Sequence, residues 1–133
     1  MSYISFFTAA NIKGYTEQFL RTIQLATAVH KRSVTFDENK IEFIGLSSWC
    51  FYGYLKQMRN NFAIFIVEDE KLIIDILLRP KTVRNFEEIV EIIKNTQVRE
   101  DKMKEYAKGL GIFRCLRDYD IYWKSTKISI FLM

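Results

Sequence analysis

The sequence predicts a mixed α/β domain of the α+β kind. An antiparallel sheet of about four to six strands follows a short N-terminal helix, and two to four helices of the C-terminal half pack on it. Three observations carry this expectation. Short runs with a period of two, separated by turn residues, fill residues 21–67, and from Glu68 onward the apolar period changes to that of a helix. The 133 residues are 49% hydrophobic and 15% aromatic with 1 Pro and 5 Gly, enough apolar material for one core and too little for two full domains. No linker, internal repeat or low-complexity stretch divides the chain, so residues 1–133 read as a single domain.

Taken in order, Tyr3 to Ile12 places Ile4, Phe7 or Thr8, and Ile12 on one helical face. Ser2 or Ser5 is available as the cap and Gly14 as the residue after the C-terminus. From Arg21 to Val29, Ile23, Leu25 and Thr27 alternate with Thr22, Gln24 and Ala26, a strand pattern. Ser33–Phe36, Lys40–Ile44, Cys50–Leu55 and Asn61–Val67 follow as strands, with turns at 37–39, 45–48 and 58–60. Their spacing suits an antiparallel meander. Glu68-Asp69-Glu70 then opens a helix carrying Leu72, Ile73, Ile76 and Leu77, which Pro80 closes. Asn85 caps a second helix whose stripe is Phe86, Ile89, Val90 and Ile93. A third runs from about Asp101 to Leu110, with Met103, Tyr106, Ala107 and Leu110 inward and Gly111 as its stop. Ile112 to Trp123 fits a helix, and Lys127 to Phe131 alternates like a strand.

The residues offer little catalytic chemistry. The single His30 stands beside Lys31 and Arg32 with no serine or cysteine partner nearby, and no glycine-rich phosphate loop is present. Glu68, Glu70 and Asp75 are the one candidate set for a divalent metal and a small metal-dependent nuclease. Helix-dipole complementarity, with Asp75 exposed or paired to Lys71 or Arg79, explains the same acids more simply. The expectation is therefore no metal, no cofactor and no enzyme activity. Cys50 and Cys115 are too few for a disulfide framework and read as buried small hydrophobes of a reducing compartment. With no signal peptide at the start and no apolar membrane span, the expected setting is the cytoplasm.

A net charge of +4 permits an acidic partner or nucleic acid. Lys31, Arg32, Lys56, Arg59, Arg79, Lys81 and Arg84 are the candidate phosphate or partner contacts, provided that they meet in space. Trp49, Phe51, Tyr52 and Tyr54 suit base stacking or a sheet core equally.

The order of short motifs resembles a known family. Tyr3-Ile4-Ser5-Phe6-Phe7-Thr8-Ala9-Ala10 followed by Gly14-Tyr15-Thr16-Glu17-Gln18 resembles the entry to the second domain of AbiEi-family antitoxins, predicted transcriptional regulators of viral defence systems. Phe51-Tyr52-Gly53-Tyr54, the segment from Val67 to Pro80, Phe86-Glu87-Glu88-Ile89 and Glu105-Tyr106-Ala107 continue the order, so the resemblance covers residues 3–110. It implies a type IV toxin–antitoxin protein of abortive infection that counters a nucleotidyltransferase-like toxin, and it marks Gly14, Glu17, Gln18, Gly53, Glu70, Asp75 and Pro80 as the family signature. Members carry an N-terminal winged helix that represses their own operon. This sequence begins where the second domain should begin, and Leu116 to Asp120 departs from the leucine-glycine-tyrosine helix expected there. The signature residues read as architectural, with a partner surface at Asp75 and Arg79 as the other reading.

Overall fold

A computed structural model describes residues 2–17, 21–83 and 85–108. Its six strands are β1 (Ser2–Ile4), β2 (Thr22–Thr27), β3 (Val34–Phe36), β4 (Asn39–Gly45), β5 (Tyr54–Arg59) and β6 (Phe62–Val67), in one sheet of order β3-β4-β2-β1-β6-β5. Helices α1 (Phe6–Ile12), α2 (Asp69–Leu78), α3 (Phe86–Asn95) and α4 (Glu100–Lys108) complete the described chain, with 3-10 turns at Ser48–Cys50 and Pro80–Thr82. The α+β class stands.

The strand directions differ from the expected meander. β3–β4 and β5–β6 are antiparallel hairpins and β1 runs antiparallel to β2, yet β2 pairs with β4 in parallel, and β1 meets β6 in parallel at Ile4↔Ile66. The cause is the N-terminus. The segment expected to be one helix from Tyr3 splits at Ser5, and its first part becomes β1 between the two hairpins. The junction is tight, because Ser5 is extended and the buried Phe6 has φ +59°, so strand passes into helix without a loop.

The alternation read in β2 holds. Gln24 and Ala26 share a face with Tyr3, while Ile23 and Leu25 share the other with Ile4. Helix α1 is hydrogen-bonded to the Tyr3 face: the Phe7 N–H donates to Gln24 Oε1 (2.9 Å), and Thr8 Oγ1 accepts from the Gln24 N–H (2.8 Å). Gln24 Nε2 also donates to the Thr82 carbonyl at 3.0 Å.

Helix α2 is the centre of the molecule. The sequence suggests an amphipathic helix, but every residue from Glu70 to Leu78 is buried, because α1, α4 and the sheet enclose it. α3 keeps part of its predicted stripe, with Ile93 packed on the core, but not Phe86. Glu88, Ile89 and Ile92 face inward and Phe86 is exposed. Its cap is as expected, with Asn85 Oδ1 accepting the Glu88 N–H at 2.9 Å. α4 starts near the expected point and buries Met103, while the expected Leu110 and Gly111 end, and the segments 112–123 and 127–131, lie outside the described residues.

Candidate functional site

Three of the signature residues, Gly53, Glu70 and Asp75, lie along α2, where three polar networks meet. The deepest lies on the Tyr3 face of the sheet. Spacing of four residues puts Lys71 and Asp75 side by side on α2, and both side chains are fully buried in a salt bridge. Asp75 Oδ2 also accepts the Tyr3 hydroxyl at 2.9 Å and the Ser5 hydroxyl at 2.6 Å, and Lys71 Nζ reaches Tyr3 Oη at 3.3 Å. The Lys71 ammonium sits 4.7 Å from the centre of the Tyr52 ring. Burial drives the Lys71 ammonium below its ordinary value against the pull of Asp75, while burial first and Asp75 second push the Tyr3 phenol far up. Asp75 is therefore paired to Lys71, one of the two partners its spacing allows, and it is buried rather than exposed.

Gly53 is the complement of Lys71. Its φ is +78°, and a Cβ there would stand 2.7 Å from Lys71 Cβ and 2.8 Å from Cγ. The residue thus needs glycine twice, once for its backbone and once for its neighbour. Its carbonyl accepts the Glu68 N–H at 2.8 Å, which docks the start of α2 on the chain before β5.

The second network is built on Asp69. It accepts from Lys13 Nζ at 2.6 Å, from the Tyr15 hydroxyl and from the Gln97 N–H at 2.7 Å, joining the end of α1 to the segment before α4. Burial alone would raise the Asp69 carboxyl, and these donors outweigh it and hold it below the ordinary range. The third network takes the flanking acids. Glu70, buried, accepts Arg99 Nε at 2.9 Å, and Glu68 accepts the Tyr106 hydroxyl at 2.8 Å.

The acidic run is thus divided among separate partners. Glu68 and Glu70 share Arg99, while Asp75 turns into the Tyr3 cluster, so the three do not converge as metal ligands. Among the described residues no group of three or more His, Cys, Asp or Glu is placed to hold a metal ion. The networks can hold elements in register, and their innermost groups are closed to solvent.

The other signature residues have plain places. Gly14 ends α1 at φ +81° in open space, with its N–H on the Asn11 carbonyl, as the expected residue after the helix. Pro80 begins the 3-10 turn after α2, Glu17 is exposed, and Gln18 lies outside the described residues. The aromatic run serves the core: Tyr3 stacks on Tyr54 at 4.8 Å and meets Phe51 at 5.0 Å, and Tyr52 meets Tyr106 edge-on at 5.3 Å. Cys50 is fully buried as expected. Cys115 lies outside the described residues.

The candidate basic contacts are spread. Lys31 and Arg32 precede β3, and Lys31 Nζ lies 5.3 Å from the Phe43 ring centre. Lys56 and Arg59 are exposed on β5, with β2, β1 and β6 between them and that end of the sheet. Arg79 donates to the Gly45 carbonyl at 2.8 Å, Lys81 is exposed in the 3-10 turn, and Arg84 lies outside the described residues. His30 is exposed. No local pattern points to the Asp69 hub or to Arg99, whose partners stand far along the chain. No helix among the described residues is long and apolar enough to cross a membrane. No family model matches the chain, and no curated protein matches it significantly.

Proposed function

We propose that this chain is a non-enzymatic interaction domain of the AbiEi antitoxin type, acting in a toxin–antitoxin or regulatory role and countering a nucleotidyltransferase-like toxin in the cytoplasm. The observation that supports this reading is the use made of the motifs that carry the resemblance. Tyr3, Ser5, Gly53, Glu68, Glu70 and Asp75 are gathered along α2, where each serves packing or hydrogen bonding. With these side chains taken up by packing and hydrogen bonds, this reading assigns the action to the surface.

The test is co-expression rescue. The neighbouring open reading frame is expressed in a host and growth is followed with and without this chain. Relief of growth arrest at matched expression is the expected result. A toxic neighbour that this chain fails to relieve removes the antitoxin reading for that pair.

A further inference from the structure

We infer that the outer edge of β5 is a docking site for an extended acidic segment of another protein, which adds to the sheet as a further strand. The proposal stands independently of the antitoxin reading, since it uses only the geometry and charge of the β5–β6 hairpin.

Among the described residues the two ends of the sheet differ. β3 is three residues long, too short to template much pairing, whereas β5 runs six residues in unbroken register with β6, from Tyr54↔Val67 to Arg59↔Phe62. It carries no proline and no bulge, and its charges, Lys56 and Arg59, turn away a like-charged strand rather than every strand. The ribbon also projects: β1 is only three residues long and meets β6 at Ile4↔Ile66, so the hairpin tip extends past it. Every residue from Leu55 to Arg59 is exposed, including Leu55 at 55% and Met58 at 63%, and Phe62 beside the turn is 73% exposed. Asn60 and Asn61, at φ +49° and +68°, form a tight two-residue turn that fixes the ribbon's shape.

Charge selects the occupant. From Tyr54 to Val67 the hairpin carries Lys56 and Arg59 and no carboxylate. A second copy of β5 would bring the same cations against themselves. The chain's own strand-like sequence at 127–131 is no better matched, for residues 121–133 include Lys124 and Lys127 and no acid. Lys56 and Arg59 fall on opposite faces of β5, so an acidic segment with carboxylates on both of its faces answers them. Its backbone also supplies the alternating donors and acceptors that an open strand edge offers, which a phosphodiester chain lacks. The polar Asn60-Asn61 tip disfavours insertion into a lipid surface.

The test uses the full chain and two labelled peptides, one of repeated Glu-Glu-Val-Val, which sets glutamates on both faces of a strand, and one with lysine in place of glutamate, followed by fluorescence anisotropy and amide hydrogen exchange. The acidic peptide is expected to bind at least about tenfold more tightly than the basic one and to slow exchange in residues 54–59. The exposed double substitution Lys56→Glu with Arg59→Glu should reverse the preference. The proposal fails if the outward amides of β5 are already protected in the free protein, which would mean an occupied edge. It also fails if the two peptides bind alike, or if an oligothymidylate displaces the acidic peptide.

Discussion

The amino end of α2 and the β5–β6 hairpin are built from the same kinds of side chain, aromatic, apolar and charged, and put them to opposite use. Around α2 each charged group has a partner within hydrogen-bond reach, and Lys71, Asp75 and Glu70 are almost wholly buried. On the hairpin Lys56, Arg59, Leu55, Met58 and Phe62 are turned to solvent. The difference shows that a charge run has meaning only through what the fold brings to it. Glu68-Asp69-Glu70 looks like a solvated helix start and is a junction of three elements. The scattered cations look like one patch and are distributed across the sheet.

The sharpest way to break the buried half of this contrast is Asp75→Ala. It strands the Lys71 ammonium together with the Tyr3 and Ser5 hydroxyls in the core, and removing one partner of a buried pair costs about 3–5 kcal/mol. Lys71→Met should cost less, since Asp75 keeps two donors. Denaturant midpoints with unchanged slopes would measure both. A loss under about 1 kcal/mol for Asp75→Ala would mean that the cluster does not hold β1 to α2.

Next in size is a pair of glycines. Gly53→Ala suffers both a left-handed backbone and a clash with Lys71 Cβ, together about 2–4 kcal/mol. Gly14→Ala meets open space and bears only the backbone strain, about 1–2 kcal/mol. Equal losses in the two variants would show that Lys71 has room to move. Gly53→Ala combined with Lys71→Ala separates the terms, because the double variant removes the neighbour and keeps the strain.

What the sequence made legible follows from the range of each interaction. The limits of α2, the Asn85 cap, Gly14 after α1 and the alternation of β2 are local signals, and all of them hold. The Lys71–Asp75 pair is visible as an i,i+4 spacing, but its burial is not, because that depends on β1. The parallel pairings of β2 with β4 and of β1 with β6 join segments that no turn connects, so a string of turn signals reads as a meander. The short β1 has the apolar spacing of a helix, and only its place between two hairpins makes it a strand. At the site, Asp69, Arg99 and Gly53 act on partners 15 to 56 positions away in the chain, beyond the reach of any local pattern.

The Asp69 network sharpens the comparison by pH. A carboxyl held below its ordinary value in the folded state adds stability that is fully present above about pH 4, near its unfolded value, and is lost as pH falls through the folded one. Its partner Tyr15 is raised, by burial first and the Asp69 bond second. That contribution is present below about pH 10 and is lost as pH rises through the folded value. Asp69→Asn should therefore flatten the acid limb of the stability profile, and Tyr15→Phe the alkaline limb. An acid limb unchanged in Asp69→Asn would show that other carboxylates govern it.

The smallest expected effect belongs to the hairpin. Lys56→Glu with Arg59→Glu replaces two exposed side chains that no described ion pair holds, so unfolding free energy should move by no more than about 0.5 kcal/mol per position. Thermal and denaturant unfolding of the double variant beside Asp75→Ala would set the two regions on one scale. A near-null change in stability is what makes the double variant usable in the peptide experiment, since altered binding then reports on the surface and not on folding. A large loss would instead reveal that the cations of β5 are tied into the fold, and the contrast between a buried polar centre and an open edge would collapse.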